Sequence, residues 1–304
     1  MIAISIENLV KTYPRSWASG PVAAVRDISL TVKSGEVFGF IGPNGAGKST
    51  TIKILTGAMA ATGGSVSLFG TPVDRPEARR GMGYVPENPS LPDYLSPLEI
   101  LQMALELHGL GLPNARAHCM AWLERFELAH VATTTIRTFS KGMAQRTALA
   151  HALVVNPRLL ILDEPLSGLD PVGRRDVVDV LAEYKRNGGT IFLTSHVLHD
   201  VERLADRFGL IHKGVLMTID SPTELVSNEP MYTVRSVGHA ALSGLRAEAS
   251  GRWSAEVAGA ELWPLLERLK SAGHQLVEVK PSLTLETAFM RYLGIDQKSE
   301  ERSA

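Results

Sequence analysis

Short runs of consecutive apolar residues, separated by stretches of helical periodicity, mark the chain up to about residue 225. Three of these runs lie within 36–41, 159–162 and 190–194, and each is shorter than an ordinary helix. Continuous apolar runs are typical of strands that are buried on both faces in a parallel sheet covered by helices. The pattern therefore predicts an α/β domain built around a parallel sheet.

Weaker signals predict the other elements of this part of the chain. Turn residues such as Gly63-Gly64, Pro86 and Lys213-Gly214 separate them. We predict an edge strand at 2–10, a strand pair at 22–32, single strands at 65–70 and 82–87, helices at 48–57, 171–187 and 197–205, and a hairpin at 208–220.

Residues 91–156 form a mainly helical stretch between predicted strands. The sequence Ser96-Pro97-Leu98-Glu99 is a capping box with proline at the first helical position. Further helices are predicted at 114–128 and 143–155, and Asn156-Pro157 ends the last one. We expect a helical subdomain inserted into the α/β domain.

The pattern changes again after about residue 227. Strands are predicted at 231–237, 253–257 and 275–279, and helices at 261–272 and 283–293. We therefore divide the chain into a first domain at 1–226, a small α+β domain at 227–295 and a disordered tail at 296–304 with mixed charge.

Composition excludes several classes of protein. The chain has 304 residues, 44% hydrophobic and 21% charged, with a net charge of −1; a strongly basic nucleic-acid-binding surface is therefore not expected. The single cysteine, Cys119, allows no internal disulfide and suits a reducing compartment. The N-terminus lacks a signal-peptide pattern, and we find no apolar run of the ~20 residues that span a bilayer.

The strongest chemical signal is the loop Gly42-Pro43-Asn44-Gly45-Ala46-Gly47-Lys48-Ser49-Thr50. It fits the phosphate-binding pattern G-x-x-x-x-G-K-[ST] and lies between a predicted strand and a predicted helix, as the motif requires. Backbone N–H groups and a helix N-terminus cradle phosphates there. We expect Lys48 to contact the β- and γ-phosphates and Ser49 to ligate Mg²⁺.

Two further motifs contain residues that suit the binding and hydrolysis of a phosphate group. The strand 159–162 ends in Asp163-Glu164 at the edge where α/β sheets bind ligands; Asp163 is placed to hold Mg²⁺ and Glu164 to act as general base. The segment 139–146 begins a helix with Ser140 and Gly142, which suits a second anion site. A chain with two such elements suggests that a partner closes each site.

In this order, the motifs resemble the nucleotide-binding subunit of ABC transporters over residues 2–225. The segment from Phe139 resembles the family's signature, whose usual form is Leu-Ser-Gly-Gly-Gln. Residues 167–170 resemble the D-loop, which crosses to the other subunit. His196 resembles the switch histidine, which contacts the γ-phosphate, and Tyr13 resembles the aromatic residue that stacks on adenine.

The resemblance implies a fold and a set of partners. The fold would be a P-loop NTPase with a RecA-like core, an antiparallel β subdomain and a helical subdomain, followed by the small C-terminal α+β domain. The activity would be ATP hydrolysis with ATP and Mg²⁺, in a dimer of two ATPase subunits, most simply a homodimer. Residues 281–291 resemble the C-terminal domain of exporter-type ATPases. The protein would work on the cytoplasmic face of the cell membrane with a separate transmembrane permease and without nucleic acid.

The resemblance also implies roles for individual residues. Catalysis would use Glu164, His196 and Glu87, and Mg²⁺ would be held by Ser49, Glu87 and Asp163. ATP would be bound by residues 42–50 and Tyr13, and by Ser140, Gly142 and Asp170 of a second subunit. The membrane subunit would dock near 87–110.

Several positions depart from the family pattern. Glu87 stands where glutamine is common; it keeps an oxygen ligand and adds a negative charge, so we expect activity with a stronger dependence on Mg²⁺. Lys141 and Met143 replace glycine and glutamine of the signature, a form that resembles the ATPases of exporters. Trp17 could stack on adenine instead of Tyr13, or Tyr13 could simply pack against the core.

Two alternatives remain open. One is an ABC ATPase that acts on ribosomes or DNA; the single P-loop and the absence of a heptad pattern disfavour it. The other is a subunit that binds nucleotide without hydrolysis, which the presence of Lys48, Asp163, Glu164 and His196 disfavours.

Overall fold

A computed structural model of the protein describes residues 1–14, 20–221, 231–249 and 251–281, with only the backbone described at 198–200, 249 and 281. The chain divides into two compact units, Met1–Ile219 and Asp220–Ala304. None of the helices in the described ranges is long and apolar enough to cross a membrane.

The first unit contains two sheets, six α-helices and three short 3-10 helices among its described residues. Its strands are β1 (Ile2–Tyr13), β2 (Val22–Lys33), β3 (Val37–Ile41), β4 (Gly63–Leu68), β5 (Thr71–Pro72), β6 (Met82–Val85), β7 (Leu159–Asp163), β8 (Thr190–Ser195), β9 (Arg207–His212) and β10 (Val215–Asp220). Its helices are α1 (Lys48–Leu55), α2 (Pro97–Leu107), α3 (Ala115–Arg125), α4 (Lys141–Val154), α5 (Pro171–Arg186) and α6 (Leu198–Leu204).

The larger sheet has the order β10-β9-β3-β8-β7-β6. Strands β9, β3, β8, β7 and β6 are parallel, which confirms the parallel core predicted from the apolar runs. Every residue of β3, β7 and β8 is buried, and Phe192 packs between Phe38 and Phe40 at ring-centroid distances of 5.8 and 5.6 Å. The C-terminal ends of these strands share one edge, where ligands bind in such folds.

The second sheet of this unit is antiparallel, with the order β2-β1-β4-β5. The prediction of an edge strand at 2–10 is wrong, because β1 pairs with β2 on one side and β4 on the other. Alternation of buried and exposed residues shows a half-buried strand but not whether its second edge is paired. The strand pair at 22–32 is also wrong: this stretch is one strand with a positive φ of 56° at Asp27.

The helical insert consists of α2, α3 and α4 in the same unit. The predicted capping box is confirmed, since Ser96 Oγ accepts from the Glu99 N–H while Glu99 accepts from the Ser96 N–H. Hydrogen bonds from Ser96 are also the main reason why the pKa of Glu99 is lowered. The other two helices begin and end within a few residues of their predicted limits.

The second unit contains a four-stranded antiparallel sheet in the order β12-β13-β11-β14. Its elements are β11 (Met231–Val237), β12 (Arg246–Ala249), β13 (Arg252–Ala258), α7 (Gly259–Ser271) and β14 (Gln275–Pro281). Leu265 and Leu269 of α7 form its small core with Val234 and Ala255. The sequence did not predict β12, and the helix predicted at 283–293 and the tail at 296–304 lie outside the described residues.

Candidate functional site

The predicted phosphate loop leaves the end of β3 and enters α1 at Lys48. Gly47 has a φ of 116°, and a Cβ there would lie 2.6 Å from the Ala24 carbonyl oxygen. A Cβ at Gly42 would lie 2.2 Å from the Ile211 carbonyl oxygen. Both glycines are therefore required by close backbone packing, which fixes the loop against its neighbours.

Lys48 lies under this loop and faces a carboxylate. Its Nζ donates to the Gly42 carbonyl oxygen at 2.6 Å and lies 3.5 Å from Glu164 Oε1. The Lys48 and Glu164 side chains are only 7% and 8% exposed, so water screens this charge pair weakly. The ammonium group thus links the phosphate loop to the end of β7.

Asp163 and Glu164 are held by one hydroxyl group on the neighbouring strand. Thr194 of β8 pairs with Asp163 of β7; its hydroxyl donates to Asp163 Oδ1 at 2.6 Å and accepts from the Glu164 N–H at 3.1 Å. All three residues are buried. Thr194 was not predicted as a site residue; the signal for it is a hydroxyl at the end of an apolar strand, but its partner depends on strand register.

Glu164 has a strained backbone and an oriented side chain. Its φ of 50° lies in the left-handed region, which costs about 1–3 kcal/mol at residues other than glycine. Its Oε2 accepts from the His196 N–H at 3.2 Å and from His196 Nδ1 at 2.8 Å. Since an ionised carboxylate only accepts, the proton of the His196 ring belongs on Nδ1. The His196 side chain is 54% exposed.

Four of the predicted features line one cavity of about 190 Å³. They are the loop residues 43–50, Glu87, Glu164 and His196. The cavity also contacts Ala24 at the start of β2, which the sequence analysis did not predict. The structure thus brings the predicted phosphate-binding, water-activating and switch residues together in one place.

The oxygen donors at this edge suit Mg²⁺. Ser49 and Glu87 line the cavity and Asp163 lies buried beside Thr194, and carboxylate and hydroxyl oxygens are ligands for this cation. The described residues contain no cluster of three or more His, Cys, Asp or Glu side chains that could hold a metal. The donors therefore fit Mg²⁺ that also takes oxygens from a bound polyphosphate.

The charge of Asp163 also affects the ionisation of a tyrosine on a neighbouring strand. Burial, and then the charge of Asp163, raise the pKa of Tyr84 above its ordinary value. Tyr84 lies on β6 beside Ile161 of β7. The neutral phenol therefore persists through the physiological pH range.

Tyr13 contacts the first turn of α1. Its hydroxyl lies 3.4 Å from Thr50 Oγ1 and donates to Met59 Sδ at 3.0 Å, and Lys11 Nζ lies 5.4 Å from the ring centroid. This places the tyrosine next to the phosphate loop. Trp17, the alternative adenine-stacking residue, lies outside the described residues.

The predicted signature residues do not line this cavity. Ser140 is the N-cap of α4, where its Oγ accepts from the Met143 N–H at 3.3 Å, and it is exposed. A Cβ at Gly142 would lie 3.3 Å from the Gly168 carbonyl oxygen. Lys141 Nζ lies 3.5 Å from Ser167 Oγ. The signature residues therefore pack against the predicted D-loop of their own chain.

Asp170 also lies outside the cavity. It is the N-cap of α5 and accepts from the Gly173 N–H at 3.1 Å, and it is exposed. Ser140, Gly142 and Asp170 thus form a second group of candidate residues, separate from the lining of the phosphate cavity.

Known proteins resemble the chain in sequence and in fold. A family model described as "ABC transporter" matches residues 25–167. An uncharacterized ABC transporter ATP-binding protein of Synechocystis sp. is 34% identical over 308 residues, which cover 94% of this chain and 85% of the relative. A fluoroquinolones export ATP-binding protein of Mycobacterium tuberculosis is 38% identical over 228 residues, covering 73% and 72%. The solved ATP-binding subunit of an ABC transporter matches with a TM-score of 0.67 and 31% identity, covering 74% of this chain and 92% of that one.

Proposed function

The chain belongs to the ABC transporter family of ATP-binding proteins, and we propose that it hydrolyses ATP in a dimer to drive export through a separate membrane subunit. The observation that supports this most strongly is the cavity in which Lys48, Glu164 and His196 meet residues of the phosphate loop. The proposed chemistry is attack of water on the γ-phosphorus of ATP: a P–O bond to the water oxygen forms, the bond to the ADP oxygen breaks, ADP leaves, and Glu164 accepts the proton of the water.

Within one chain, the loop 42–50 and Lys48 would bind the phosphates. Loop N–H groups and the N-terminus of α1 stabilise negative charge, and the Lys48 ammonium adds a full positive charge. Tyr13, next to Thr50, would stack on the base. Mg²⁺, when bound by Ser49, Glu87 and Asp163, supplies positive charge that neutralises the phosphates.

Glu164 is the proposed general base. Its carboxylate is oriented by His196 and Lys48, and its backbone is held by Thr194. A base must lie at a fixed place relative to the attacking water, and these contacts supply that placement. His196 would keep Glu164 in position and present its ring to the γ-phosphate.

Ser140, Gly142 and Asp170 would serve the site of a second subunit. They are exposed or partly exposed and lie outside the phosphate cavity of their own chain. In a two-fold symmetric dimer, each site would receive the signature of the other chain. A serine hydroxyl and a helix N-terminus provide the donors that an anion needs.

The transmembrane partner would dock on the helical insert. Between residues 87 and 110, Tyr94 and Leu107 are 74% and 76% exposed, so these two side chains are accessible for burial against a partner. The assembly would place the chain on the cytoplasmic face of the membrane, without a nucleic-acid partner. The relative named for fluoroquinolone export supports export over an action on ribosomes or DNA.

Replacement of the base tests this function. We expect Glu164→Gln to bind ATP with an affinity within about 2-fold of wild type and to reduce kcat by at least ~100-fold, because general-base catalysis is typically worth 10²–10⁴-fold. The variant should accumulate as an ATP-bound dimer in size-exclusion chromatography. Unchanged turnover would remove Glu164 as the base.

A further inference from the structure

The N-terminal half of α4 contacts the segment that follows Glu164 in the same chain. Besides the contacts of Lys141 and Gly142 described above, the Gln145 side chain reaches this segment. Its Nε2 donates to the Pro165 carbonyl oxygen at 3.1 Å, and Gln145 is completely buried. A side-chain hydrogen bond therefore joins the signature helix to the residue next to the proposed base.

Only half of the Gln145 amide is satisfied. Its Oε1 is buried and has no hydrogen-bond partner among the described residues. An unpaired buried carbonyl destabilises a fold, and an apolar side chain of similar volume, such as methionine, would avoid that loss. The contact that favours glutamine here is thus the donation of Nε2 to Pro165.

The Pro165 carbonyl belongs to a strained turn. Glu164 has a positive φ of 50°, although a residue before proline favours extended backbone. Such a conformation persists only where surrounding contacts over-determine it. The Thr194 hydroxyl binds the turn at the Glu164 N–H, the Ser167 N–H donates to the Glu164 carbonyl oxygen at 3.0 Å, and Gln145 binds the turn at Pro165.

We propose that Gln145 is a positioning residue that holds the Glu164 backbone in its strained conformation and thereby places the base. The inference rests on the proposed role of Glu164. Gln145 lies on the helix that Ser140 caps, a little more than one turn after it. In the proposed dimer, Ser140 completes the site of the other chain. The hydrogen bond from Gln145 to Pro165 therefore connects the base of one site with the signature serine of the other site.

The first test replaces Gln145 by methionine in the full chain. Gln145→Met removes the donor and the unpaired oxygen together, so we expect an unchanged or higher melting temperature. We expect kcat to fall by about 10- to 100-fold, because a small misplacement of a catalytic group has effects of this size, while KM for ATP stays within about 2-fold. Gln145→Leu provides the same test if the methionine variant does not fold.

The matched control is Thr147→Val on the same helix. Thr147 is also buried, but its hydroxyl donates to the Met143 carbonyl oxygen within α4 at 2.9 Å and makes no described contact with Pro165. Its kcat should stay within about 2-fold of wild type. A loss as large as that of Gln145→Met would show that any buried hydrogen bond of α4 matters equally, and would overturn the positioning role.

A double-mutant cycle separates positioning from a general structural effect. Single-turnover assays would compare Gln145→Met, Glu164→Gln and the double variant. If Gln145 acts through Glu164, adding Gln145→Met to Glu164→Gln causes no further loss. If the loss of activity in the double variant equals the product of the losses in the two single variants, the inference is overturned.

The same assays distinguish this inference from the proposed function. If Glu164→Gln is inactive and Gln145→Met turns over normally, only the positioning role fails. If Glu164→Gln itself keeps wild-type turnover, the base assignment fails and the positioning role fails with it.

Discussion

The two groups of candidate residues differ in how completely their own chain holds them. Around the phosphate loop, Lys48, Asp163, Glu164 and Thr194 are buried and joined by hydrogen bonds and an ion pair. At the N-terminus of α4, Ser140 is exposed, and its side chain caps its own helix.

This difference indicates what each region requires. The buried group is preorganised, so the chain alone can present the groups that we propose to bind phosphate and activate water. The exposed group offers donors at a helix N-terminus but lies outside the phosphate cavity of the same chain. A second subunit that brings its phosphate loop to Ser140 would use both groups.

The largest expected effect is on ATP affinity, to which the buried region should contribute and the exposed region should not. Lys48→Met should weaken ATP binding by about 10- to 100-fold, since a hydrogen bond from a charged group contributes about 1.5–3 kcal/mol. Ser140→Arg should leave the affinity of the dilute single chain within about 2-fold. Isothermal titration calorimetry with ATP would measure both, and an equal loss in the two variants would contradict the comparison.

The next effect tests the preorganisation of the buried region. Thr194→Val removes the hydroxyl that binds Asp163 and Glu164, so we expect about 1–3 kcal/mol lower stability and a roughly 10-fold lower kcat. Thr190→Val is the matched control at the other end of β8, where Thr190 Oγ1 accepts from the Gly35 N–H at 2.9 Å. It should lose similar stability but little kcat. Equal kcat values for the two variants would show that Thr194 does not position the acids.

A smaller effect concerns Glu87 at the rim of the cavity. The negative charge that Glu87 adds favours a stronger dependence on Mg²⁺, but Glu87 is exposed, and charge interactions in such positions are typically below about 1 kcal/mol. Glu87→Gln should therefore reduce the ratio of ATP affinities with and without Mg²⁺ by no more than about 5-fold. Fluorescence titration with a labelled nucleotide in Mg²⁺ or EDTA would measure the ratio. A rise in the ratio would refute the electrostatic role.

The smallest effect concerns the stability of α4. Burial, and then the neighbouring His108, lower the pKa of His151 in the folded chain. Below the unfolded value of about 6.5, the unfolded chain binds a proton that the folded chain does not, so the free energy of unfolding falls as pH falls from about 6.5 toward the folded pKa. Urea denaturation of wild type and His151→Gln should show a shallower pH slope in the variant, while His130→Gln at an exposed position should match wild type. An equal pH slope in wild type and both variants would show that His151 does not contribute to the pH dependence of stability.

Local spacing made the buried region predictable in part. The phosphate loop and the Asp163-Glu164 pair are defined by neighbours in the sequence, and the strand–loop–helix context followed from apolar runs. Thr194 could not be predicted, because its partnership with Asp163 depends on the register between β7 and β8. The internal position of β1 likewise depends on pairing with β4, which is distant in sequence.

Contacts across the fold also limited what could be predicted for α4. Ser140 as a helix cap follows from residue type and position, and the structure places it there. The bond between Gln145 and Pro165 joins residues twenty positions apart, and its value depends on the positive φ of Glu164. Neither fact is encoded in local periodicity.

The most direct test of the shared site mixes two inactive chains. Lys48→Met keeps a normal signature and Ser140→Arg keeps a normal phosphate loop, so a mixed dimer would contain one intact composite site. We predict that equal amounts of the two chains recover up to about a quarter of wild-type ATPase activity, since about half of the dimers are mixed and each has one of two sites intact. No recovery, with mixed dimers demonstrated by native mass spectrometry, would contradict a site built from two subunits.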